Sequence, residues 1–163
     1  MNEQNAEAGG NGSTTDLPQF AVQRIYIKDL SFEIPGAPGI FSEQIGEQDI
    51  QLNLNNSHTA IGDNVYEVVL SINVHAKMGD RSIFLIEMEQ AGTFMIQGYG
   101  NEDLRKILGT YCPSTLFPYA RESISSTVSK GSFPALMLQP INFDALYAQA
   151  QAEQQQRSDN SAA

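Results

Sequence analysis

The clearest pattern along the chain lies in residues 65–76. Tyr66, Val68, Leu70, Ile72, Val74 and Ala76 share one parity; Glu67, Ser71, Asn73 and His75 share the other, with Val69 the apolar exception. Side chains alternate across a strand, so this pattern predicts a strand with one covered face. Lys77-Met78-Gly79-Asp80 then reads as a short turn, because Gly79 can take a positive φ. The run RSIFLIEMEQAGTFMIQ (81–97) completes a hairpin. Gly92 interrupts it and marks a bulge or a close approach. DIQLNLN (49–55) also alternates, with Ile50, Leu52 and Leu54 inward. FAVQRIYIKDLSFE (20–33) has Ile25 and Ile27 on one parity and Phe20, Val22 and Tyr26 on the other. Apolar residues on both parities predict a strand covered twice or paired across an interface.

The period changes in the second half. Asn101 is placed to cap a short helix carrying Leu104, Ile107 and Leu108, with Gly109 ending it. Ser114 is placed to cap a second helix, in which Leu116, Ala120, Ile124 and Val128 form a core-facing stripe. Pro118 is expected in or near its first turn, and Gly131 stops it. Pro140 and Asn142 precede a last helix with Phe143, Leu146, Tyr147 and Ala150 on one side.

Strands followed by helices predict an α+β fold: a four-stranded antiparallel sheet with helices packed on one face. The connection from Ser31 to Gln48 holds Pro35, Gly36, Pro38 and Gly39 and is expected to cross the sheet end as an ordered loop. Residues 1–17 and 151–163 are polar and are expected to be disordered, leaving 18–150 as the folded domain. The outward parity still holds Val65, Val69, Ile83 and Leu85. With two open sheet edges, that leftover apolar surface points to association with a second copy.

Composition narrows the function. The net charge is -10, which repels phosphate backbones, so nucleic acid is not an expected partner. The N-terminus has no basic and apolar signal pattern. No window reaches the 18 or so apolar residues of a membrane span. A single cysteine, Cys112, permits no internal disulfide. These features together predict a cytoplasmic protein with no direct membrane insertion.

Chemistry-bearing patterns are absent. The two histidines, His58 and His75, are far apart, and there is no CxxC or HxxxH, so no metal is expected. Cys112 has no base nearby in sequence and reads as a small buried hydrophobe. FMIQGYGNED lacks the third glycine of a dinucleotide loop. No cofactor and no catalytic residue are expected. The remaining candidates are carboxylates. Glu87 and Glu89 share a face, and Asp29 and Glu33 share a parity. If their strands are neighbours, these acids form one negative patch with Leu85 beside it. A catalytic pair needs an apolar cleft and a raised pKa; an open face suits docking of a basic partner.

The segments RIYIKDLSFE, VYEVVL, LGTYCP, LFPYARE, VSKGSFP and INFDALY, in that order, resemble the bacterial SecB protein-export chaperones over about residues 20–150. The resemblance implies a homotetramer, a dimer of dimers, that holds unfolded preproteins in the cytosol without ATP and passes them to SecA. It implies SecA docking by Asp29, Glu33, Leu85 and Glu87, through the zinc-stabilised C-terminal tail of SecA. It implies an oligomer interface at Ile86, Met88 and Gln90, with Ile86 where many members carry cysteine. The family's loop tryptophan is missing from FSEQIGEQD. Client contacts are expected from Ile40, Phe41 and Ile45 in the loop, from Tyr99, and from Leu136, Met137 and Leu138. The alternative reading is a non-enzymatic adaptor, or a chaperone of the same fold serving a toxin–antitoxin module.

Overall fold

The computed structural model describes residues 17–162, so the segment expected to be disordered over 1–17 falls almost wholly outside the described residues. The chain runs through β1 (Gln19–Glu33), β2 (Asp49–Gly62), β3 (Val65–Met78) and β4 (Arg81–Gln97). It continues through α1 (Asn101–Lys106), a π-helical segment (Ile107–Tyr111), α2 (Cys112–Lys130) and α3 (Phe143–Ser161). The strands form one antiparallel sheet in the order β1-β4-β3-β2. The fold is α+β, with the helices on one face. The β3–β4 turn is where expected, and Gly79 has φ 61°.

Helix α2 lies over β4 and β3. Its stripe of Leu116, Ala120, Ile124 and Val128 meets Leu70, Ile72, Ile86, Met88 and Phe94 in one buried core. Strand β2 lies beyond this cover. Ile50 and Leu52, expected inward, point to the helix side but stay 37% and 42% exposed because no helix reaches them. Only Leu54 of that trio is half-buried.

The mixed parity of β1 has a local cause. Its pairing with β4 shifts register between Val22 and Arg24 and again between Ile27 and Asp29. Each shift is a bulge with one extra residue on β1, and each bulge reverses which parity faces inward. Phe20 and Val22, then Ile25 and Ile27, then Leu30 and Phe32 therefore share the helix side. Tyr26 alone of the aromatic and aliphatic residues named earlier for this strand faces the other way. A third shift, between Ala76 and Lys77, leaves Ile83 as the extra residue on β4. Ile83, expected on the outward face, is 0% exposed and belongs to the core.

Helix boundaries differ in instructive ways. Gly100, not Asn101, precedes α1, and Asn101 is its first residue. Gly109 does not end the helix. It sits within the π segment, and a Cβ there would lie 2.6 Å from the Tyr147 ring, so the glycine admits α3. The helical path therefore runs unbroken into α2, placing Ser114 and Pro118 inside it. Gly131 caps α2 as expected. Asn142 caps α3, its Oδ1 accepting from Ala145 N at 3.0 Å. α3 continues to Ser161, past residue 150 where the folded domain was expected to end. From Ala148 onward it is exposed. Its Ala, Gln and Glu are strong helix formers, which sustain a helix without an apolar stripe.

The loop between β1 and β2 carries a single 3-10 turn, Gly39–Ser42. It is pinned from both sides. Ile40 is buried, and Glu43 accepts from both terminal nitrogens of Arg81 at the β3–β4 turn.

Candidate functional site

The uncovered face of the sheet gathers the acids. Strand β4 is the centre of the patch, because β1 and β3 both pair with it. Asp29 lies opposite Glu89, Ser31 opposite Glu87, and Glu33 opposite Leu85. On the other side Ser71, Asn73 and His75 face Glu89, Glu87 and Leu85. Asp29, Glu33 and Glu87 are exposed, and Leu85 and Glu89 are half-buried. The geometry thus brings Asp29, Glu33, Leu85 and Glu87 onto one open surface. It is an open sheet face without the apolar walls of a cleft.

Sequence reasoning missed the group at the upper edge of this surface. Glu67 on β3 accepts from Lys28 Nζ at 2.7 Å through Oε1, and from the Tyr26 hydroxyl through Oε2. Hydrogen bonding from Lys28 and then from Tyr26 holds the Glu67 carboxyl below its ordinary range. Burial, then the bond to Glu67, pushes Tyr26 up from 10.0 to about 12. The lowered carboxylate adds stability above its unfolded pKa, lost as pH falls through its folded one. The raised phenol adds stability below 10.0, lost as pH rises through about 12. Absorbance titration is expected to show one tyrosine ionising near pH 12 in the native protein. That step should vanish in Tyr26→Phe and move to lower pH in Glu67→Gln. A step unmoved by Glu67→Gln would remove the carboxylate as a cause. The signal was present in sequence as outward parity of Glu67, but the partners meet only because β1 and β3 flank β4.

Other titratable groups fit quieter roles. His75 Nε2 lies 2.6 Å from Ser82 Oγ, so this side chain is hydrogen-bonded and half-buried where a solvated one was expected. Cys112 is buried, and burial pushes its thiol up to about 12, the opposite of an activated nucleophile. Among the described residues, no group of three or more His, Cys, Asp or Glu is placed to hold a metal ion. No helix among them is long and apolar enough to cross a membrane.

The apolar candidates divide. Phe41 is 48% exposed and stacks tilted on Phe133, with ring centres 5.9 Å apart. Ile45 and Leu136 are half-buried against the core. Met137 is 59% exposed over α2 and lines a groove with Pro118, Arg121 and Ser125. Tyr99 lies elsewhere, in a groove with Phe20, Ile107 and Tyr111. Ile40 and Leu138 are buried inside the chain and offer no surface to a client.

The three residues expected at an oligomer contact also face inward. Ile86, Met88 and Gln90 are on the helix side of β4 and are 0%, 1% and 2% exposed. Their parity is opposite to that of Glu87; α2 lies over this face, and Ile27, Leu30 and Phe32 of β1 flank them. Gln90 donates to the Tyr26 carbonyl at 3.0 Å, while its buried Oε1 has no protein partner. It lines an open groove with Ile25, Ile27, Pro118 and Tyr119.

This arrangement is the sheet-and-helix fold of SecB-like chaperones. It is similar to the solved structure of a SecB-like chaperone from Mycobacterium tuberculosis in complex with a ChAD peptide from the HigA1 antitoxin. The TM-score is 0.62 at 17% identity, covering 76% of this chain and 91% of that one. A family model described as preprotein translocase subunit SecB matches residues 13–154. The protein-export protein SecB of Marinobacter nauticus is 54% identical over 155 residues, 95% of this chain and 93% of its own length. That of Nitrosococcus oceani is 52% identical, over 94% of this chain and 91% of its own length. The chain belongs to the SecB family of protein-export chaperones.

Proposed function

We propose that this protein is an ATP-independent cytoplasmic holdase that keeps unfolded preproteins competent for export and hands them to SecA through its acidic sheet face. The observation that carries the reading is the shared register of Asp29, Glu33, Leu85 and Glu87 on the uncovered face of the sheet. The exposed apolar side chains Phe41 and Met137 lie elsewhere, in the crossing loop and over α2. Two surfaces of different chemistry allow client and SecA to be held at once. Phe41, Ile45, Leu136, Met137 and Tyr99 supply loose apolar contacts for many clients, and Met adapts well to varied shapes. The basic, zinc-stabilised tail of SecA suits the acids, and the zinc belongs to that tail. No step of this work requires catalysis.

Assembly as a dimer of dimers accounts for the apolar surface along β1 and α2. Val22, Ile27 and Leu30 along β1 and Tyr119 on α2 are 42%, 47%, 38% and 52% exposed. A second copy laid along β1 and α2 covers them and closes the Gln90 groove. Ile86 and Met88 then support that contact from beneath.

Calorimetry with an unfolded preprotein and with the zinc-loaded SecA tail peptide tests the reading. Native protein is expected to bind both. Glu87→Lys should keep the client and weaken the tail about tenfold, with the loss shrinking at high salt, as for an exposed charge contact. Loss of client binding in this variant, or failure of the native protein to bind either, would overturn the assignment of two separate surfaces.

A further inference from the structure

We propose that Lys28, Tyr26 and Glu67 are positioning residues for the docking face: they hold the second bulge of β1, and that bulge turns Asp29 and Glu33 outward. This rests on the docking reading above. The register carries the argument. From Arg24 to Ile27 the paired positions on β1 and β4 run Arg24–Thr93, Ile25–Gly92, Tyr26–Ala91 and Ile27–Gln90. Counting on from Ile27 without interruption would set Lys28 opposite Glu89 and Asp29 opposite Met88. Met88 faces the core. Asp29 would then point under α2, and Leu30 and Phe32 would point to water. The observed pairs are Asp29–Glu89, Leu30–Met88 and Phe32–Ile86, so Lys28 is the extra residue. A slip of one residue exchanges the two faces of everything that follows. The β1 half of the docking patch, and with it the meeting of the two halves, therefore depends on one extra residue.

What holds that residue is a carboxylate two strands away. Lys28 Nζ reaches Glu67 Oε1 at 2.7 Å, and the Tyr26 hydroxyl reaches Oε2. Tyr26 and Lys28 flank Ile27, where the register breaks, and both bonds cross over β4 to β3. Each oxygen of Glu67 thus fixes one side of the bulge. The pair also removes Glu67 from the negative patch, since its charge is answered by Lys28. Phe32 adds a second restraint on the same register. Its ring sits 6.0 Å from that of Phe84, and it lies so close to Gly131 that a Cβ there would be 2.6 Å away. The bulge is held by polar contacts outside and by aromatic packing within.

The sign of one substitution separates positioning from simple charge. Lys28→Met removes a positive charge beside an acidic face. If Lys28 only screens that face, the variant binds the basic tail more tightly. If it holds the bulge, the variant binds the tail more weakly despite its extra negative charge. The full-length protein would be titrated with the zinc-loaded SecA tail peptide, and cross-strand amide contacts between residues 27–31 and 87–90 would be read by TROSY NMR. The expected result is about a tenfold weaker tail, unchanged client binding, and loss or doubling of the Asp29–Glu89 contact. Glu67→Gln, which keeps the shape of the side chain, should move both readouts the same way by less. Tail binding unchanged or tightened, with the Asp29–Glu89 contact intact, overturns the proposal. If the native protein binds no tail, the docking reading falls by itself. The NMR contacts then still decide: an intact register in Lys28→Met refutes the bulge's dependence on Lys28, and an altered one upholds it.

Discussion

Phe84→Ala is expected to cost about 3–5 kcal/mol of stability, the range for removing a buried aromatic ring. Phe84 is 2% exposed on the helix side of β4. Its ring centre lies 5.2 Å from Phe133, which follows α2, and 6.0 Å from Phe32 on β1. Phe133 in turn meets Phe41 in the crossing loop at 5.9 Å. The Phe84 ring therefore joins two strands of the sheet to the segment after α2, and through Phe133 to the loop. The void left by alanine cannot close easily, because its walls belong to elements anchored elsewhere. Ile40 is fixed in the core, and Arg81 holds Glu43. Urea denaturation would give the loss directly. A cost under about 1.5 kcal/mol would mean that the loop and the segment after α2 collapse onto the gap, contrary to that anchoring. The same variant should loosen Phe41, and under the function proposed above it should weaken client binding more than SecA docking.

Gly92→Val is expected to be nearly as damaging, at about 3 kcal/mol or more, for the opposite reason. Gly92 is buried between Ile25 and Val68 in the sheet. A Cβ on it would lie 2.9 Å from the Arg24 carbonyl oxygen, 2.9 Å from a Leu116 methyl and 3.0 Å from the Phe94 ring. Leu116 can turn aside. The Arg24 carbonyl is main chain, held by the ladder just after the first bulge of β1, and cannot. Valine adds two methyl groups to that crowd and lifts α2 from the sheet. Gly92→Ala, with a single carbon, should fall between native and valine. Thermal melts of the three proteins test the order. A valine variant within about 0.5 kcal/mol of native would show that β1 yields, and that the close approach is not a constraint.

The sheet was largely readable from the chain because alternation survives wherever a strand is regular. β3 is the best case. It contributes its apolar parity to the core without a break until the shift near Lys77. β1 was readable as a strand but not in its facing. Two inserted residues reverse its parity, and a bulge leaves no mark in a hydrophobic pattern beyond making both parities look apolar. The pairing of the acids with Leu85 was legible as a conditional on β1 and β4 being neighbours; the second bulge of β1, which turns Asp29 and Glu33 to that face, was not. The Glu67 group was not, since it links residues 26, 28 and 67 across an intervening strand. Burial was the least legible property. Ile50 and Leu52 carry the pattern of a covered face, yet whether a helix lies above them depends on where α2 ends its reach. Glycines misled in one instance and informed in another. Gly109 reads as a helix stop but makes room for Tyr147, whereas the close approach suggested at Gly92 is found there.

The strand order has a consequence in time. β2, β3 and β4 are successive neighbours and can zip together as the chain emerges, each pairing with the one before. β1, the first strand made, has only β4 for a partner. It must wait for residues 81–97 and then close the largest loop in the sheet, a slow kind of contact to form. Asp29 and Glu33 arrive with it. A copy still on the ribosome, however complete its meander, holds only the β4 half of the acidic surface. The finished acidic surface is thus a signature of a finished molecule, and any partner that needs both halves can engage only a chain that has already folded.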